Sequence, residues 1–169
     1  MSFLDRLAYD AETGEHTDSG IRYMMIRPDA FMGILHELPE EDRPRVLEAM
    51  ARSITTQGAK SAQAYQKMGA SDSTALLNVI AGTAPELGWG IWTFSEPDAD
   101  GFTLQVRNSP FAAGYGAAPW PVCAPIRGML VAVGQMVLGQ AVSVSETSCA
   151  ACGSEICQFA ISAQSGAVA

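Results

Sequence analysis

Basic residues are scarce in this sequence. Ten lysines and arginines stand against 18 aspartates and glutamates, which gives a net charge of -8 and an isoelectric point near 4.6. This balance repels phosphate backbones and anionic lipid headgroups, and no basic stripe offsets it locally. We therefore expect neither nucleic acid nor a membrane surface as a partner.

The sequence also lacks an apolar run that approaches the length of a membrane span. Residues 1–20 are polar and acidic, whereas a secretory signal has a basic start and an apolar centre. We therefore expect a cytoplasmic protein. Cysteines stay reduced in the cytoplasm, so the four cysteines of the chain favour a metal or redox site over a disulfide framework.

Histidine is rare too, and the sequence gives little support for catalysis. His16 lies in the polar N-terminal stretch and His36 near a helix end, so we expect both to be solvated. No Ser-His-Asp order is visible, and the glycines around Tyr115 lead to prolines rather than to a phosphate-binding helix. A binding protein is favoured over an enzyme, and we assign no catalytic residue.

Apolar periodicity predicts one α+β domain, with a mainly antiparallel sheet packed against about four helices. Residues 1–20 form a polar N-terminal arm, residues 21–162 the domain and residues 163–169 a loose tail. The predicted helices are 28–38, 44–69, 73–82 and 125–138. The predicted strands are 21–26, 89–94, 102–107, 141–146 and 156–162. A proline-rich loop over 109–125 is expected to be a lid.

All four cysteines lie between Cys123 and Cys157. Thiolates and a carboxylate around a glycine-containing turn are ligands that Zn²⁺ accepts. The sequence therefore predicts a structural metal site at Cys123, Glu146, Cys149 and Cys157, with Cys152 as a further candidate that could replace Glu146. Thiol redox chemistry at the Cys149-x-x-Cys152 pair and inert buried cysteines are the alternatives.

The stretch from Gly128 to Phe159 resembles a known family signature. Gly128-Met129-Leu130, Gly139 and the run from Val144 to Phe159 resemble the C-terminal part of the 4-vinyl reductase domain. This family is named for a bacteriochlorophyll-biosynthesis protein and also provides the aromatic-sensing module of phenol-responsive activators. The resemblance implies a fold similar to TRAPP trafficking subunits and haem-nitric-oxide-binding domains, often dimeric. It also implies zinc on the four residues named above, with Cys152 left out.

The same resemblance implies a hydrophobic, aromatic or tetrapyrrole-like ligand, bound between sheet and helices. Aromatic residues near the expected pocket mouth are the candidate ligand-binding residues, although aromatics on strands are more often core residues. They are Trp89, Trp92, Phe94, Phe102, Phe111, Tyr115 and Trp120.

Three functions follow from these observations. The first is a stand-alone, zinc-containing sensor or carrier domain that forms a homodimer, since the sequence shows no ATPase or DNA-binding segment of the activators. The second is a bacteriochlorophyll 4-vinyl reductase or its accessory protein. The third is a structural dimerisation module.

Overall fold

The computed structural model describes residues 2–67 and 72–164, which hold six α-helices and seven strands in two antiparallel sheets. The helices are α1 (Phe3–Arg6), α2 (Pro28–Gly33), α3 (Arg43–Lys67), α4 (Ser73–Glu86), α5 (Pro110–Tyr115) and α6 (Ala124–Leu138). The strands are β1 (Ala8–Asp10), β2 (Glu15–Asp18), β3 (Ile21–Tyr23), β4 (Ile91–Phe94), β5 (Gly101–Arg107), β6 (Val142–Ser148) and β7 (Cys157–Ala163). None of the described helices is both long and apolar enough to cross a membrane.

The larger sheet has the strand order β4-β5-β7-β6, with every neighbouring pair antiparallel. Alternate residues of β5 and β7 point to the same face, so apolar residues at every second position bury that face against the helices. Phe102, Leu104 and Val106 of β5 lie there beside Phe159 and Ile161 of β7. The predicted α+β class with a mainly antiparallel sheet is confirmed.

Helices α3 and α6 form the closest helix pair of the fold. A Cβ atom added to Gly128 of α6 would overlap the carbonyl oxygen of Ala51 in α3, so the two backbones are nearly in contact. The Thr55 hydroxyl donates a hydrogen bond of 2.9 Å to the carbonyl of Gly128. The four predicted helices are all present; the predicted end of the second, at residues 68–69, falls outside the described ranges.

The N-terminal arm contains structure that the sequence analysis did not predict. Ser2 and Asp5 form a capping box at the start of α1, and strands β1 and β2 pair with β3 in the smaller sheet. The side chain of Phe3 is buried, and Arg6 forms an ion pair with the buried Asp18 at 3.2 Å. The arm is therefore packed against the domain.

Two further boundaries differ from the prediction. The strand expected over residues 21–26 ends at Tyr23, and the apolar residues that follow it, Met24 and Met25, are about four-fifths exposed. The expected lid contains helix α5, because the Ser109 hydroxyl accepts the backbone N–H of Ala112 and Pro110 occupies the first turn. Of the predicted tail, Ala163 closes β7, and residues 165–169 fall outside the described ranges.

Candidate metal centre

Three elements of the fold bring the predicted metal ligands together. Cys123 is the residue before α6, Glu146 lies on β6, Cys149 follows that strand, and Cys157 begins β7. Their potential ligand atoms all lie within 4.8 Å of one another. We call these four residues the Cys/Glu cluster. Residues 23 to 34 positions apart in sequence thus meet in one small volume, as the prediction required.

The three sulfur atoms of the Cys/Glu cluster are buried and hydrogen-bonded to their surroundings. The Sγ atoms of Cys123 and Cys157 are 3.6 Å apart. The backbone N–H of Ala150 donates to Cys157 Sγ at 3.3 Å, and Ser109 Oγ lies 3.2 Å from Cys123 Sγ. Such contacts around metal-binding sulfurs orient the ligands and tune the metal.

Glu146 provides the test of whether the cluster fits a cation. One carboxylate oxygen accepts the backbone N–H of Cys123 at 3.0 Å. The other, Oε1, is buried and has no hydrogen-bond partner among the described residues. An unsatisfied buried oxygen costs about 1–3 kcal/mol, and more when it is charged. A divalent cation among three sulfurs would satisfy this oxygen, so the donor set suits Zn²⁺.

The predicted ligand-binding aromatics fall into two groups. Trp92, Phe94 and Phe102 form a chain of edge-to-face contacts with ring centroids 5.9–6.0 Å apart, and this chain packs within the core. Tyr115 is also buried and packs against the ring of His36, whose Nε2 lies 2.9 Å from the Tyr115 carbonyl oxygen.

The other group, Trp89 and Phe111, lines a cavity of about 240 Å³. Their rings meet edge to face at 5.0 Å. Trp120 packs against the core elsewhere, and its indole Nε1 is buried without a hydrogen-bond partner in the described part of the chain.

The N-terminal arm supplies much of the cavity wall, which the sequence analysis missed. Phe3, Leu7 and His16 of the arm line it together with Tyr23 of β3 and the apolar segment 24–26. Phe3 and Leu7 are four residues apart, a helical spacing that was readable in the sequence but too short to stand out. We call this space the arm cavity. His16, expected to be solvated, is half-buried and stacks on Tyr9.

The profile of the 4-vinyl reductase domain matches residues 102–163, which include the whole Cys/Glu cluster. The chain contains a 4-vinyl reductase domain. No curated protein sequence matches the chain significantly.

Solved structures show how widely this fold is shared. The phenol-responsive sensory domain of the transcription activator PoxR, solved with phenol, superposes with a TM-score of 0.81 at 17% identity, over 95% of this chain and 86% of that one. A trafficking protein particle complex subunit 3 from Naegleria fowleri gives 0.57 at 11% identity, over 81% and 95%. A vinyl-4-reductase family protein from Methanocaldococcus jannaschii gives 0.49 at 12%, over 84% and 98%. The first two likenesses establish the predicted fold.

Electrostatics in this 4-vinyl reductase domain concentrate negative charge on one sulfur. The pKa of Cys149 lies well below its usual value because the thiols of Cys123 and Cys157 donate hydrogen bonds to it. The pKa of Cys123 is raised, first by its hydrogen bonds to Cys149 and Cys157 and then by burial. Burial raises the pKa of Glu146 to about 8, and a hydrogen bond to Cys149 adds to that effect. Without a cation, the cluster therefore holds a thiolate at Cys149 and protons at Cys123 and Glu146.

Zinc binding at pH 7 is accordingly expected to release at least two protons, because a metal needs the deprotonated forms of Cys123 and Glu146. Above pH 8 the Glu146 proton is already lost, so the release should fall by about one proton. Calorimetric titration with zinc in two buffers of different ionisation enthalpy measures this number. Replacing Cys152 by serine should leave it unchanged, and a release that does not vary between pH 6 and pH 9 would contradict the assignment of Glu146.

The pKa of Glu146 also fixes the pH dependence of the metal-free 4-vinyl reductase domain. A carboxyl group whose pKa rises from 4.5 to about 8 on folding binds more protons folded than unfolded between those values. Its contribution to stability is complete below pH 4.5 and is lost as the pH rises through 8. Zinc removes this dependence because it holds the carboxylate ionised.

Cys152 lies outside the Cys/Glu cluster, although the sequence left it open as a ligand. It is exposed, whereas the other three cysteines are buried. Its backbone N–H donates to the Cys149 carbonyl at 3.0 Å, which closes the turn between β6 and β7. The turn holds the Cys152 sulfur outside the group of ligand atoms that lie within 4.8 Å of one another.

Proposed function

We propose that this chain is a small-molecule-binding domain, in a sensor or carrier role, for an aromatic or hydrophobic ligand. The arm cavity is the observation that carries the proposal. Its walls are mainly apolar and aromatic, with His16 and Glu86 as polar groups, and this composition is typical of ligand pockets. Small-molecule sensing by the PoxR domain, which was solved with phenol, supports the same role.

The size of the arm cavity favours a small ligand. Pockets for drug-sized molecules measure about 300–1,000 Å³, and this cavity of about 240 Å³ lies just below that range. A ligand of one or two rings would fill it. A tetrapyrrole would require the arm to move away from α4, where the backbone N–H of Leu4 now donates to the Glu86 carboxylate at 3.0 Å.

Zinc on the Cys/Glu cluster is the second part of the proposal. Four protein ligands leave no open coordination position, so the metal would be structural rather than hydrolytic. It would join the start of α6 to both strands of the last hairpin, segments that otherwise meet through packing and hydrogen bonds. The exposed apolar segment 24–26 is the surface that supports a homodimer, since exposed apolar patches often mark protein interfaces.

Phenol titration followed by tryptophan fluorescence tests the binding role. We expect a saturable emission change in the native chain, because Trp89 lines the arm cavity. The change should be lost in Trp89→Phe, which keeps an aromatic wall without the indole, while calorimetry still detects binding. Trp120→Phe is the matched control, since Trp120 lies outside the cavity lining, and it should keep the change.

Two results would contradict the proposal in different ways. Emission that still changes in Trp89→Phe but not in Trp120→Phe would place the ligand elsewhere in the fold. No saturable binding of phenols, larger aromatics or porphyrins by calorimetry would favour the structural dimerisation module instead.

A further inference from the structure

Cys152 borders an open groove of about 650 Å³ between helix α5 and the turn that joins β6 to β7. Mostly small side chains line this groove, so the thiol is accessible to a reagent of moderate size. The lining residues that belong to α5 and its C-terminal side include Ala112, Ala113, Gly116 and Ala117, and those of the turn include Ala150, Cys152, Gly153 and Glu155. We call this space the small-residue groove.

Cys152 and Cys149 are close enough to form a disulfide bond. The hydrogen bond of 3.0 Å from the Cys152 N–H to the Cys149 carbonyl closes a turn of four residues. Such turns hold their end Cα atoms within about 7 Å. Disulfides form across Cα separations up to about 7 Å, so the pair can be bridged with a small adjustment of the backbone.

We propose that Cys152 is a redox-reactive thiol that removes Cys149 from the Cys/Glu cluster and thereby releases the metal. The inference rests on the zinc assigned above. The co-reactant is a low-molecular-weight disulfide of the glutathione class, which the small-residue groove is wide enough to admit. Cys152 is its point of entry because, among the described cysteines, it alone is exposed.

The reaction is two successive thiol–disulfide exchanges. The Cys152 sulfur, after losing its proton, attacks one sulfur of the small disulfide; a mixed disulfide forms and one small thiolate leaves with that proton. Cys149 then attacks the Cys152 sulfur, the protein disulfide forms, and the second small thiolate leaves. Two protein thiols are oxidised by two electrons, and one small disulfide is reduced to two thiols.

Loss of Cys149 would weaken the cluster more than loss of an outlying ligand. Cys149 exchanges hydrogen bonds with the Cys123 and Cys157 thiols and with the Glu146 carboxyl group, so it contacts all three other members. A disulfide sulfur is no longer a thiolate and is a poor zinc ligand. The metal would retain three ligands and an open position, and it would exchange readily with a chelator.

The test uses the zinc-loaded chain with oxidised glutathione and a colorimetric zinc chelator. We expect zinc release with the native chain, a disulfide between Cys149 and Cys152 in peptide mass spectra, and rebinding after a dithiol reductant is added. Cys152→Ser should lower the release rate at least about tenfold while it keeps the zinc content of the native chain. Glu155→Gln, a change on the same groove wall that leaves both cysteines intact, should release zinc at the native rate.

The outcomes separate this inference from the metal assignment. A chain that binds no zinc in either form would contradict the proposed function. Normal zinc content with equal release from Cys152→Ser and the native chain would overturn the redox role of Cys152. So would a reaction that stops at a stable mixed disulfide on Cys152 with the zinc retained.

Discussion

Replacing Cys157 by serine is expected to abolish zinc binding and to lower the free energy of unfolding by more than about 4 kcal/mol, a size reserved for losses such as that of a structural metal. Cys157 begins β7, which pairs with both β5 and β6, and its sulfur lies 3.6 Å from that of Cys123. Serine is not ionised and cannot replace the thiolate. Urea unfolding and elemental analysis measure the two effects.

Cys152→Ser is the matched control for this prediction. The exposed Cys152 lies outside the Cys/Glu cluster, so its substitution should change stability by less than about 0.5 kcal/mol and leave the zinc content unchanged. Equal losses in the two variants would mean that the cysteines are inert core residues.

Chelation of the metal should also weaken ligand binding in the arm cavity. Ser109 connects the two sites, because its hydroxyl contacts Cys123 Sγ at 3.2 Å and also caps helix α5. The next two residues of α5, Pro110 and Phe111, line the arm cavity. Loosening Cys123 therefore loosens a wall of that cavity. Unchanged phenol affinity after complete zinc removal would show that the sites are independent.

The sequence revealed the parts of the fold that follow long or regular patterns. The apolar residues at every second position of β5, Phe102 to Val106, marked a half-buried strand, and the four long apolar helix faces were equally clear. The Cys/Glu cluster was predictable because ligand chemistry restricts which residues can meet. Here the family resemblance chose Glu146 over Cys152, and the structure places Glu146 within the cluster.

The arm and its cavity were not predictable for a physical reason. Helix α1 has four residues and β1 has three, so neither has enough length for a period to emerge. The arm is stabilised by contacts between distant residues, such as the hydrogen bond from Leu4 to Glu86. The capping box of Ser2 and Asp5 was the one local signal, and it indicates only where a helix begins.

The contact between α3 and α6 leads to the other large expected effect. The sequence suggested close packing along the second half of α3, at Gly58 and the alanines near it, whereas the closest backbone approach is at Ala51, opposite Gly128. Gly128→Ala would place a methyl group in overlap with the Ala51 carbonyl oxygen, and backbone atoms cannot yield as a side chain does.

We expect Gly128→Ala to lower the free energy of unfolding by about 3 kcal/mol, the upper range for overpacking, despite a gain of about 1 kcal/mol in helix propensity. The helices must separate, which also stretches the hydrogen bond from Thr55 to the Gly128 carbonyl. Gly58→Ala is the control, because its new methyl group would meet only the flexible end of Met129 at 2.9 Å. It should change stability by less than about 1 kcal/mol, since the same propensity gain offsets a small shift of Met129. Urea unfolding of both variants with zinc bound compares them, and equal losses would mean that the sheet side of α6, rather than its contact with α3, sets the stability of this domain.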